Sequence, residues 1–80
     1  MNEELEEIFN LCDTMFANAD IDFNELMNSE IDETFFSDYA NTRIVNSFLF
    51  NFSKIQEHGM NYEKLEIYCL MSTLLILKRG

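Results

Sequence analysis

Apolar positions recur at helical spacing along most of the chain. Between Glu3 and Ala19, Leu5, Ile8, Phe9, Cys12, Met15, Phe16 and Ala19 fall at intervals that draw one stripe down a helix. The acids at Glu3, Glu4, Glu6 and Glu7 sit in its first turns, where the positive end of the helix dipole favours them. A second start signal follows. Asp22 has the chemistry of an N-cap, Glu25 stands three residues on as its capping-box partner, and Ile21 and Leu26 flank them as a staple. This predicts a separate short helix from about Phe23 to Ile31 that buries Phe23, Leu26 and Met27. The stretch DETFFSDYANT then reads as a connector, in which the pattern leaves open whether Phe35 and Phe36 form a turn or an extra helical turn.

The next stretch, NSFLFNFSKIQEHG, carries two periods at once: Phe48, Phe50 and Phe52 alternate as in a strand, yet Val45, Phe48, Phe52 and Ile55 recur at three and four. Ile44 and Leu49 widen the second pattern, and Gly59 stands just past His58, where a helix ends in a left-handed residue. The prediction is a helix. Phe50 then points away from Phe48 and Phe52, since two residues turn a helix by about 200°, and it has to meet a neighbouring helix or another molecule. Asn61 can cap a last helix running to about Lys78, with Met60 and Leu65 as its staple. Leu65, Tyr68, Cys69, Leu75 and Ile76 are expected on one face of it. Ile67, Leu70, Met71, Leu74 and Leu77 cover most of the rest, so a chain of this size cannot bury the helix on every side. Leu70, Met71, Leu74 and Leu77 are therefore expected in a dimer or partner contact, and Lys78 and Arg79 suit the helix's negative end.

The whole is expected to be all-α, a small three- to four-helix bundle formed by residues 1–80 as a single helical domain. Eighty residues with two Gly and no Pro lack the punctuation of hairpin-rich folds and hold one core of modest stability. MNEELEEIF has no basic segment ahead of an apolar run, which argues against a secretory signal and for a cytoplasmic location. The run IYCLMSTLLIL is far short of a membrane span. In such a setting Cys12 and Cys69 are expected as reduced core thiols, and the Asn51–Phe52–Ser53 triplet as chance.

Charge changes the picture most. Residues 1–42 hold twelve acidic and no basic side chains, whereas residues 43–80 hold five basic and three acidic ones, so the halves carry −12 and +2. A one-sign field of that size repels nucleic acid and attracts basic surfaces, most at low salt. A merely solvated helix face usually intersperses signs. The expected partner is a basic, nucleic-acid-binding protein such as a nuclease, with no direct binding of nucleic acid or membrane.

Other chemistry has little to rest on. Asp20, Asp22 and Asn24 match the first ligands of a calcium loop, but Glu25 stands where that loop needs Gly and Ile31 where it needs a bidentate Glu. Two cysteines and one histidine give no zinc spacing. No nucleophile–base set or phosphate loop is present, and His58 lies at a helix end beside terminal carbonyls. No catalytic residue, metal or cofactor is expected.

RIVNSFLFNFSKIQEHG and EKLEI resemble segments of HEPN-like bacterial helical proteins, over about a quarter of the chain. The resemblance implies a helical bundle, dimerisation and a place in toxin–antitoxin pairs. It does not carry over RNA cleavage, because that family's Arg precedes its His by four to six residues and Arg43 precedes His58 by fifteen.

The leading expectation is thus a non-enzymatic acidic inhibitor, antitoxin or immunity-type protein that imitates nucleic acid. Its contacts would be Glu3, Glu4, Glu6, Glu7, Asp13, Asp20 and Asp22, with Phe50 as an apolar anchor. The alternative is a truncated or divergent, dimeric HEPN-like component.

Overall fold

The computed structural model describes residues 3–59 and 63–79. Among them the chain forms three α-helices and one 3-10 turn, with no strand: α1 (Glu3–Met27), the turn (Glu33–Ser37), α2 (Tyr39–Glu57) and α3 (Leu65–Arg79). The all-α expectation holds. The separate helix expected from Phe23 does not form, because α1 runs unbroken through Asp22 to Met27. Nothing between Ala19 and Met27 breaks a helix, and the stripe of Cys12, Ala19, Phe23 and Leu26 stays on one face and is buried along its whole length. That burial outweighs the local cap at Asp22. Ile21, expected in the staple, is exposed.

Side chains back-bond to the last turn of α1. The Asn28 amide donates to Asn24 O at 2.9 Å and the Ser29 hydroxyl to Glu25 O at 2.7 Å, and both carbonyls also accept from the Asn28 backbone N–H at 3.2 Å. Asp32 then caps the 3-10 turn, accepting from Thr34 N and Phe35 N. Asp38 caps α2, accepting from Ala40 N at 2.9 Å, so α2 starts at Tyr39, within the stretch expected as connector. The first turns of α2 hold the 3-10 turn in place: Asn41 Nδ2 donates to Phe35 O and Thr42 Oγ1 to Phe36 O. Phe35 is thereby buried in the core.

Helix α2 buries Val45, Phe48, Phe52 and Ile55 as the spacing predicts, and Gly59 takes φ +69° beyond its end. Helix α1 packs chiefly against α2. Helix α3 docks on the pair by inserting Tyr68, whose ring centroid lies 4.9 Å from Phe23, 5.6 Å from Phe48 and 5.6 Å from Phe16. Its other buried residues are Met71 and Leu75. Met71 therefore belongs to the core, whereas Cys69 and Ile76, expected on the inner face, are exposed. Only Cys12 is a buried thiol. The stripe on α3 was too apolar all round for periodicity to choose a face. The expected cap Asn61 and its staple partner Met60 lie outside the described residues.

No described helix is long and apolar enough to cross a membrane. No buried side-chain nitrogen or oxygen among the described residues lacks a hydrogen-bond partner; the one buried polar residue, Asn51, donates to Ser47 O at 2.9 Å.

Candidate protein-binding site

The N-terminal half of α1 is where charge and uncovered apolar surface coincide. At about 1.5 Å per residue the 25-residue helix is roughly 37 Å long, and the molecule measures 47 × 22 × 20 Å. Burial on α1 begins at Cys12. Upstream of it Glu3, Glu4, Glu6 and Glu7 are exposed, as is Asp13 just beyond. At 100° per residue, Glu3, Glu6, Glu7 and Asp13 project on the side away from the apolar stripe, and Glu4 stands on its flank. Leu5, Ile8 and Leu11 are between 39% and 46% exposed on the same segment. This half of the helix offers an apolar strip bordered by carboxylates.

The other expected contact residues are placed differently. Asp20 ties α3 to α1: its Oδ1 accepts from Tyr68 Oη at 2.6 Å and from Lys64 Nζ at 3.1 Å. The Tyr68 hydrogen bond, followed by that of Lys64, holds the Asp20 carboxyl below its ordinary range, and burial followed by the Asp20 carboxylate pushes the Tyr68 phenol up. Asp22 accepts from the Ser47 hydroxyl at 2.6 Å and joins α1 to α2. Both are half-buried and have internal partners. Asp20, Asp22 and Asn24 lie on alternate positions of a continuous helix, which is not the backbone of a calcium loop.

Phe50 is 57% exposed on α2, and Lys54 Nζ of the same helix lies 5.7 Å from its ring centroid. Lys54 also pairs with Glu57 at 3.0 Å, and that hydrogen bond keeps the Glu57 carboxyl below its ordinary range. Of the expected dimer or partner residues, Leu70, Leu74 and Leu77 are exposed and Met71 is not.

The two residues weighed for catalysis, His58 and Arg43, stand apart. His58 closes α2 as its C-cap, its backbone N–H donating to Gln56 O and Lys54 O. Arg43 sits near the other end of the same helix, fifteen residues away and so about 22 Å along the axis. Among the described residues no group of His, Cys, Asp or Glu is arranged to hold a metal. A shallow hollow of about 330 Å³ is lined by Asp22, Ala40, Arg43, Ile44 and Ser47, and in it Asp22 is already engaged by Ser47.

Comparison with known proteins adds no relative: no family model, curated protein or solved structure matches the chain.

The exposed Leu5 and Ile8 were the part that periodicity misassigned, since they belong to the same stripe as the core residues, whereas Leu11 lies off that stripe. The available signal was length. An apolar stripe running from residue 5 to residue 26 is longer than the 19 residues of α2 can cover.

Proposed function

We propose that the chain acts by binding a basic protein surface through the N-terminal half of α1, as an inhibitor, antitoxin or immunity-type protein. The observation that carries this reading is the coincidence on one uncovered segment of Glu3, Glu4, Glu6, Glu7 and Asp13 with the exposed Leu5, Ile8 and Leu11. Carboxylates steer a basic partner and raise the association rate; the apolar strip, once desolvated, slows release. Neither element does both. The absence of any Lys or Arg before Arg43 keeps the field of this half uncancelled along the sequence. A partner that normally grips phosphates presents the complementary surface, and no reaction is assigned to this chain.

The test is capture from lysate by the wild-type chain and by the quadruple variant Glu3→Gln, Glu4→Gln, Glu6→Gln, Glu7→Gln. The wild type is expected to retain basic proteins at low salt and shed them as salt rises, with association slowing at least tenfold over that range. The variant is expected to lose them while its helical circular dichroism and melting curve persist. Equal retention by both chains would overturn the reading.

A further inference from the structure

Helix α3 has a second apolar stripe that its own chain leaves open. Tyr68, Met71 and Leu75 turn inward, whereas Ile67, Leu70, Leu74 and Leu77, about a third of a turn round the helix, are between 40% and 74% exposed. Beside the first three of these runs a shallow apolar groove of about 200 Å³, walled by Phe23 and Met27 of α1 and floored by Met71. Leu77 projects beyond it. The molecule thus carries an uncovered groove at one end of the stripe and an uncovered leucine at the other.

We infer that this face seats a second copy of the same chain, α3 against α3, antiparallel about a two-fold axis near Ser72. The stripe reads the same in both directions from residue 72: Ile67 and Leu77 lie five residues either side of it, and Leu70 and Leu74 two. In the antiparallel register Leu70 faces the partner's Leu74 and Ile67 faces the partner's Leu77. Each protruding Leu77 then reaches the groove beside Ile67 and Met27 of the other copy, the reciprocal contact an isologous interface requires.

Charge favours a second copy over a foreign protein. Residues 67–77 carry no charge, while Glu66 precedes them and Lys78 and Arg79 follow. Antiparallel pairing lays the acidic end of one helix along the basic end of the other and opposes the two helix dipoles. A basic foreign partner finds no carboxylate within the stripe, and the Glu66 end and the Lys78–Arg79 end complement each other only in an antiparallel pair of this helix. One helix pair buries less than the roughly 800 Å² per partner of a standard interface, which places the dimer in the micromolar range.

The test uses the full chain in a Cys69→Ser background, that exposed thiol lying off the stripe. Ile67→Cys chains are mixed with Leu77→Cys chains under mild oxidation. The expected result is a cross-linked heterodimer from the mixture and little from either chain alone, because the antiparallel register leaves the two copies' residues 67 about 15 Å apart along the helix. A cross-link in Ile67→Cys alone indicates a parallel pair and overturns the proposal, as does a wild-type chain that sediments as a monomer across the micromolar range. Leu70→Glu, at a site 72% exposed, is expected to shift dimer to monomer without lowering the melting temperature measured on dilute protein; a dimer that survives it overturns the proposal too. The inference is independent of the reading given to α1, since neutralising Glu3, Glu4, Glu6 and Glu7 leaves this dimer intact.

Discussion

Tyr68 shows at the scale of one residue how this small core is closed. Its ring lies among Phe16, Phe23 and Phe48, and its hydroxyl donates to Asp20 at 2.6 Å. A fully buried aromatic whose hydroxyl is satisfied anchors one helix to two others. Tyr68→Phe keeps the ring and removes the hydrogen bond, and is expected to lower unfolding free energy by about 1 kcal/mol in a denaturant titration. The pair also sets a pH dependence. Asp20 is held below its ordinary value of 3.8, so its contribution is present above that pH and is lost as pH falls through the lower folded value. Tyr68 is raised above its ordinary 10.0, so its contribution is present below pH 10.0 and is lost as pH rises through the higher folded value. The stability gap between wild type and Asp20→Asn is therefore expected to close as pH drops below 3.8. A gap that stays constant down to the acid transition counts against the Asp20–Tyr68 link. Gly59 is the other residue with a defined demand. At φ +69° with no atom within 4 Å of an added Cβ, Gly59→Ala meets no steric clash. Its expected cost is the backbone penalty alone, about 1 kcal/mol by thermal melting.

At the scale of elements, α1 divides into a half that builds the core and a half that does not. Leu26 is 1% exposed in the central cluster, and Leu26→Ala is expected to cost about 2–5 kcal/mol. Leu5→Ala, at the uncovered end, is expected to stay within about 0.5 kcal/mol of wild type while weakening partner binding. Comparable losses at the two positions would show that the N-terminal half is packed in solution. The stripe, its spacing and the acids around it were legible in the sequence; the division was not, because Leu5 and Ile8 continue the stripe of the core residues. The continuity of α1 through Asp22 was not, because a cap signal is local whereas the burial of Phe23 against Phe48 and Tyr68 depends on residues 25 and 45 positions away. The start of α2 at Tyr39 was obscured in the same way, since Asp38 was read within a polar connector although it caps a helix.

At the scale of the whole molecule, net charge of −10 on 80 residues opposes compaction, and its acids are concentrated before Thr42. Raising ionic strength from about 0.01 to 0.15 M shortens the Debye length from roughly 30 to 8 Å, and the melting temperature is expected to rise by roughly a few degrees. A melting temperature that falls with salt would mean that ion pairs such as Lys54–Glu57 and Lys64–Asp20 outweigh the repulsion. The same screening would slow capture of the proposed basic partner at α1, whereas two copies of net charge −10 meeting at α3 would repel each other less as salt rises. Salt thus separates the two proposed contacts.

The sequence by itself determined the all-α class, the buried positions of α2, the left-handed end at Gly59 and the division of charge, because periodicity, turn chemistry and counting are local properties. Only the tertiary structure decided which side of α3 is covered, since that helix is apolar nearly all round and its inner face is chosen by the fit of Tyr68 between α1 and α2. It likewise decided that Asp20 and Asp22 serve the fold, through Tyr68, Lys64 and Ser47, while Glu3, Glu4, Glu6 and Glu7 remain exposed. A carboxylate's use depends on what the fold brings beside it, and for Asp20 and Tyr68 that neighbour is 48 positions away along the chain.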